Sequence, residues 1–340
     1  MSADGPRRAL PTRRDALRIL AVSGAAASAW AVARRGIGEA EPVTITRTMM
    51  GTGLTLTVVG TDRAAARAAA LEMVADMDAL EAVLSAYRPD SQISQLNATG
   101  RVEQPAPILV EVLRRGARVA EIGDGASDLT VQPVLALYAG RPAGAALPSP
   151  AAVEAARACV DHRAVRVTDD AVALARPGMA VTVDGIATGV IIDRGVATLR
   201  QRGFDNVLVD VGGDIMLSGE HAAGVPWRVG IRNPRPGVAI LARFEASNRA
   251  VATSGDYMHP FTPDLAQHHI IDPRTGYSPT ELASTTIIAP DAATADALST
   301  LTLVLGARRA CDLLTALPDC EGYFVAKDGA VTRTGGFTLA

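Results

Sequence analysis

Lysine is all but missing from this chain: among 33 basic side chains in 340 residues, only Lys327 is a lysine. No G-x-x-x-x-G-K occurs, which excludes a P-loop nucleotide site. Cysteine is nearly as scarce. Cys159, Cys311 and Cys320 are too few for a disulfide framework and lack C-x-x-C spacing. Outside a reducing compartment Cys311 and Cys320 are left as either one bridge or two thiols. Aromatics make up 4% of a chain that is 48% hydrophobic, so Ala, Val, Leu and Ile must build the core. There is no basic excess to hold nucleic acid, the formal charge being −3. The histidine pair at 268–269 has no nearby Cys or third His, which argues against zinc. No internal repeat is present, and no linker longer than a loop.

What is present begins with an address. Thr12-Arg13-Arg14-Asp15-Ala16-Leu17 is a twin-arginine pattern, and a mildly apolar run over 17–33 ends in Ala31-Val32-Ala33, a cleavage-like site. The run is too short and too rich in Ala and Ser for a permanent span. Residues 1–33 hold five Arg and two Asp, so their removal takes the charge from −3 to −6. The expectation is a Tat-exported periplasmic protein, or one at the outer face of the cytoplasmic membrane, with a single domain over 34–340.

Residues 43–59 alternate as strands, interrupted by Gly51 and Gly53. Asp62 caps a long helix to about Ala86, with Leu71, Val74, Met77, Leu80 and Leu84 stepping by three and four. Helices are predicted over 107–122, after Ser149-Pro150, from the 184–189 segment to about Gln201, over 294–305 and over 308–317. Strands are predicted near 164–168, 172–175 and 180–183, as a Gly-Gly hairpin over 206–218, and over 227–231, 240–246 and 249–254. A last hairpin turns at Asp328-Gly329. The pattern is α+β, mixed or antiparallel sheets packed with helices, with a smaller lobe around 100–160.

Several stretches carry chemistry. Asp296 and Thr300 are four apart on one helix, so a carboxylate and a hydroxyl share a face and suit a hard cation such as Mg²⁺. Taken alone, the spacing is better explained by an acidic residue complementing the helix dipole, with Thr300 merely packed. In DGIATG (184–189) two glycines permit close backbone approach ahead of a helix N-terminus, a phosphate-binding arrangement or an ordinary turn. DVGGDI (210–215) admits a flat ring or is a plain hairpin. ATSGDY (252–257) gathers hydroxyls, a carboxylate and a ring. His269 is a candidate general base, or half of a solvated pair.

Taken in order, MMGT (49–52), LSAYRPDSQISQLN (84–97), GASDLTVQP (125–133), DGIATG, VDVGGDI (209–215), ATSGDY, HHIIDPRTG (268–276) and ADALST (295–300) resemble the ApbE-type FAD:protein FMN transferases. The TVQP and T-V-D-G-I-A variants and the export signal are most similar to the exported branch that includes NosX, an accessory protein of nitrous oxide reductase. The resemblance implies the ApbE-like flavin transferase fold and transfer of FMN from FAD to a Thr or Ser hydroxyl of another protein, with Mg²⁺ required and AMP released. It implies a cation held by Asp296, Thr300 and the Ala187 carbonyl, with His269 as base. Asp256 would hold the flavin-phosphate region or the metal. FAD would be lined by Met50, Tyr87, Asp128, Thr188, Val209, Asp210, Asp214, Ser254 and His269, with Tyr87 stacking on the flavin. Thr188 stands where the family usually has Lys or Gln, and Arg194 is the nearest substitute donor. Ser127, Leu129 and Asp184 stand where Phe, Pro and Gly are usual. The implied acceptor is a membrane-tethered flavoprotein, such as a NosR-like regulator or a redox-pump subunit. An FAD pyrophosphatase and a non-catalytic FAD-binding accessory protein are the competing readings.

Overall fold

The computed structural model describes residues 42–139 and 146–340, so the expected export signal over 1–33 lies outside the described residues. Strand β1 (Val43–Met49) turns into β2 (Thr52–Val59) through Met50 and Gly51, at φ 49° and 75°. Two consecutive left-handed residues are what a two-residue hairpin turn demands. Asp62 then caps helix α1 (Arg63–Leu84), accepting from Ala65 N at 2.9 Å. There follow α2 (Gln92–Thr99), β3 (Arg101–Glu103), α3 (Pro107–Ile122), α4 (Gln132–Ala136), α5 (Pro150–Arg157), β4 (Val165–Val167), β5 (Ala171–Leu174) and α6 (Ala187–Gln201). The second half supplies β6 (Asn206–Val211), β7 (Asp214–Ser218), β8 (Trp227–Arg232), β9 (Ile240–Ala246), β10 (Arg249–Gly255) and β11 (Leu282–Ala289). It ends with α7 (Ala292–Leu305), α8 (Ala307–Thr315), β12 (Glu321–Ala326) and β13 (Val331–Arg333).

Eight strands make one antiparallel sheet in the order β1-β2-β6-β7-β10-β11-β12-β13. Side chains alternate across a strand, and here both faces are covered. Met216, Ala250, Ala252 and Phe324 face the helices, packing with Met73 and Met77 of α1, Ile191 and Leu199 of α6, and Leu298 and Leu301 of α7. Their sequence neighbours Leu217, Val251, Tyr323 and Val325 join Trp227, Phe244 and Phe337, brought by the β8–β9 hairpin and the C-terminal segment. The result is the expected α+β arrangement. In the small β3-β5-β4 sheet, Val102 and Val172 pack into the same cluster as the main helices.

One local expectation is corrected. Residues 180–183 form no strand. The side-chain amide of Asn97 takes the place of a neighbouring strand there, donating to Val181 O at 2.8 Å and accepting from Val181 N at 2.7 Å. Beyond Pro89, Ser91 accepts from Ser94 N at 3.0 Å and caps α2. Cys311 and Cys320 are separate thiols, and burial pushes that of Cys320 up to about 11.

Helices α6 and α7 pack backbone against backbone at Gly189. A Cβ there would lie 2.6 Å from Ala293 Cα, and closer still to the Ala292 carbonyl oxygen. Backbone on both sides cannot yield cheaply. Gly189→Ala is therefore expected to lower the unfolding free energy by roughly 1–3 kcal/mol, read from urea denaturation midpoints at constant slope. An unchanged midpoint would contradict this packing.

Candidate active site

Four segments meet where α6 and α7 begin. Asp296, in the second turn of α7 and 4% exposed, accepts from Gly189 N at 3.1 Å through Oδ2. One turn on, Thr300 Oγ1 lies 3.4 Å from Ser254 Oγ at the end of β10, and Ser254 bonds Ser299 Oγ at 2.8 Å. Gly185 rests against Thr300, since a Cβ on it would be 3.1 Å from Oγ1. Ala187 sits between these two contacts, so the 184–189 loop is laid against the Asp296–Thr300 face. Thr188 lies half-buried in the first turn of α6.

Carboxylates crowd this junction. Burial raises Asp296, and the charges of Asp184 and Asp193 add to the rise against the opposing Gly189 bond. Asp214 is pushed well above the usual carboxylate range by burial, then by Asp296 and Asp210. Asp210 is raised by burial although Gly213 N donates to it at 2.9 Å. Burial also lifts Asp184, and takes Asp193 to about 6. Mutually repelling, desolvated acids are the condition a bound cation relieves. Among the described residues no three His, Cys, Asp or Glu side chains gather as a metal centre. The donors here are instead mixed: one carboxylate, one hydroxyl and one backbone carbonyl. All are hard oxygens of the kind Mg²⁺ takes alongside water and phosphate, so they fit it.

Asp256 does something other than expected. It is wholly buried, and Arg235 grips it at both ends, Nη1 to Oδ1 at 2.8 Å and Nη2 to Oδ2 at 2.7 Å. Lys327 Nζ stands 3.6 Å away and also donates to Leu265 O at 2.9 Å. With its charge already answered, Asp256 is an anchor for the loop that follows β10. That loop carries the histidines. His269 stands edge-on to His259, ring centroids 5.2 Å apart, with His268 at 6.3 Å. A third imidazole thus comes near the pair after all, from nine residues upstream.

Burial, then the neighbouring His259 and His268, push His269 down to about 3; burial, then Lys327, push His268 to about 4. Both rings are therefore neutral at pH 7, and burial resists their protonation. Their folded values lie below the ordinary 6.5, so their contribution to stability is complete above pH 6.5 and lost as pH falls toward about 3. Imidazole ¹⁵N correlation spectra are expected to show both rings neutral at pH 5.5. A protonated pattern there would refute the burial argument.

The expected flavin contacts divide. Tyr87 is 84% exposed and its hydroxyl donates to Asp184 Oδ2 at 3.4 Å, so its ring is tethered beside the 184–189 loop with a face to solvent. Met50 lies at the hairpin turn, its N donating to Glu81 Oε2 at 3.1 Å. Val209 is buried in β6, and Asp210 and Asp214 flank the Gly212-Gly213 turn, Asp214 within electrostatic reach of Asp296. The Asp128 carboxylate is otherwise engaged. It accepts from Thr130 N at 2.8 Å, Thr130 Oγ1 at 2.6 Å, His162 N at 2.9 Å and, across a pair with the ring, His162 Nδ1 at 3.0 Å. It pins its loop to residue 162. Nor does Arg194 supply the missing phosphate donor, for it pairs with Glu111 of α3. It lines a separate cleft of about 640 Å³ with Leu80, Pro107 and Ala197. Sequence reasoning passed over Asp193, Arg235 and His259, whose partners lie far along the chain or in a loop without a motif.

Comparison with known proteins bears on this geometry. A family model described as the ApbE family matches residues 50–324. The FAD:protein FMN transferase of Treponema pallidum is 33% identical over 283 residues, 75% of this chain and 76% of that protein. That of Salmonella typhimurium is 32% identical over 304 residues, 84% of each. Among solved structures, the flavin transferase ApbE from Vibrio cholerae superposes with a TM-score of 0.78 at 25% identity, covering 88% of this chain and 98% of that one. The apo flavinyl transferase ApbE of Pseudomonas stutzeri gives 0.78 at 29% identity, covering 88% and 97%.

Proposed function

The chain belongs to the ApbE family, and we propose from that premise that its FAD:protein FMN transferase activity is magnesium-dependent and runs at the α6–α7 junction with His269 as base. The acceptor's Thr or Ser oxygen attacks the FMN-side phosphorus of FAD. The phosphoanhydride bond breaks, AMP departs with the bridging oxygen, and the hydroxyl proton passes to the neutral imidazole of His269. Magnesium, when bound, neutralises diphosphate charge and steadies the leaving AMP. Ala187 O, Asp296 and Thr300 would hold it. Ser254 orients Thr300. Tyr87, held by Asp184, offers a ring face to the isoalloxazine. Asp256 keeps the histidine loop in place through Arg235 and Lys327. A depressed His269 is a weak base when the site is empty, but the adjacent diphosphate favours its protonated form and raises it.

The observation that carries this reading is the pair of contacts, Gly189 N to Asp296 and Gly185 to Thr300, that bring distant segments around Ala187. The test incubates the purified protein with FAD, Mg²⁺ and an acceptor flavoprotein domain. The expected result is a flavin-fluorescent acceptor band on a denaturing gel with one AMP per FMN transferred. Free FMN and AMP without acceptor would mark a pyrophosphatase instead. Bound FAD with neither product would mark a non-catalytic accessory protein.

The physiological setting is inferred from the sequence. The twin-arginine pattern at 12–17 supports export to the periplasm, and the TVQP variant supports the NosX-like branch. Its acceptor is then a flavoprotein on the same side of the membrane, such as a NosR-like regulator or a redox-pump subunit. Among the described residues no helix is long and apolar enough to cross a membrane.

A further inference from the structure

The two helices that carry the cation ligands meet N-terminus to N-terminus. Each such end bears partial positive charge and unpaired N–H groups, so the meeting is unfavourable unless something answers both. The answer is reciprocal. Asp193, on α6, accepts from Ala292 N at 2.8 Å through Oδ1 and from Ala293 N at 3.0 Å through Oδ2, the first two amides of α7. Asp296, on α7, accepts from Gly189 N in the first turn of α6. The side chain of Asp291, the N-cap residue of α7 itself, takes only the Thr294 amide among the first backbone N–H groups of the helix, at 3.0 Å. Without Asp193 the Ala292 and Ala293 amides would lack their side-chain acceptor.

We propose that Asp193 is a positioning residue that fixes the register of α7 on α6, and so the separation of Ala187 from Asp296 and Thr300. The inference rests on the reading that these three hold the cation. Both Asp193 oxygens are occupied by α7 amides, so its effect is exerted through the helix. Ala292 and Ala293 lie one turn before Asp296, at about 1.5 Å per residue along a continuous helix. A slip at the clasp is carried undiminished to the ligands. Gly189 leaves no slack for another packing. Arg115 completes the arrangement: its charge acts on Asp193, and Nη1 lies 3.5 Å from Asp291 Oδ1.

The test measures Mn²⁺ binding by electron paramagnetic resonance, without FAD or acceptor, on wild type, Asp193→Asn and Asp296→Asn. In Asp193→Asn a side-chain NH₂ must face one of two amide donors. The expected result is Mn²⁺ affinity weakened by roughly 10–100-fold, as for partners that orient metal ligands elsewhere. Faster hydrogen exchange at Ala292 and Ala293 and unchanged FAD affinity are expected alongside. A folded Asp193→Asn that binds Mn²⁺ like wild type, however much its melting temperature drops, overturns the proposal, because a merely structural residue behaves so. If Asp193→Asn does not fold, Arg115→Met decides, with a several-fold weakening expected and unchanged affinity overturning it. Wild type that binds no Mn²⁺, indistinguishable from Asp296→Asn, overturns this proposal together with the metal reading beneath it.

Discussion

His269→Ala is expected to lower the rate of FMN transfer by on the order of 10²–10⁴-fold, the span for loss of a general base, with FAD still bound. The acceptor hydroxyl is a poor nucleophile until its proton has somewhere to go. The structure sets a half-buried imidazole edge-on to His259, whose charge bears on Asp184 of the 184–189 loop, and burial keeps that imidazole unprotonated at working pH. His259 stands nearby but is exposed, and His268 is wholly buried and bears on the anchor at Asp256 and Lys327. Single-turnover transfer to an acceptor domain, with FAD affinity measured separately, isolates the step. Transfer by His269→Ala at close to the wild-type rate would remove the base from the mechanism.

Asp296→Asn should have the second large effect, and it runs in two directions. Catalysis falls by on the order of 10²–10³-fold, as when one preorganised stabilising group is removed, because the amide keeps the shape and loses the charge that holds the cation. Stability without metal rises. The folded-state value of Asp296 lies above its unfolded one, so ionising it costs stability progressively as pH climbs from about 4 through the raised folded value. An amide is spared that cost. In the presence of a chelator Asp296→Asn is expected to melt higher than wild type at pH 7.5 and to coincide with it near pH 4. Added Mg²⁺ should lift the wild type alone. A variant that melts lower at pH 7.5, or retains the Mg²⁺ response, would contradict the role given to this carboxylate.

Much of this was legible in the sequence. Helices with a clear start signal, such as α1 behind its Asp62 cap and α3 opening on Pro107, appear where the pattern places them, although Leu71 of the expected α1 stripe is exposed and Met73 is buried instead. Strand β11 escaped because it is buried on both faces and shows no alternation. Its hydroxyl-rich stretch is satisfied internally, Thr285 donating to Ser299 O at 2.7 Å and Thr286 pairing with Thr253 at 2.8 Å. The spacing of Asp296 and Thr300 marked one face of a helix, and the glycines of 184–189 marked a close approach. What no pattern disclosed was which acids already had partners. Asp128 and Asp256 look like ligands in the sequence and are consumed by His162 and Arg235 in the fold. Asp193, inside an unremarkable helix, becomes the clasp between two helix ends. Partnerships at separations of 21, 34 and 99 residues are properties of the topology.

The near-absence of lysine has a practical corollary. Apart from the chain's amino terminus, the side chain of Lys327 is the sole primary amine, and it stands between Asp256 and the Leu265 carbonyl. Acylating reagents and amine-coupled biosensor surfaces will therefore either spare the folded body or strike the strut beneath the histidine loop. Immobilisation through an engineered tag keeps that strut intact.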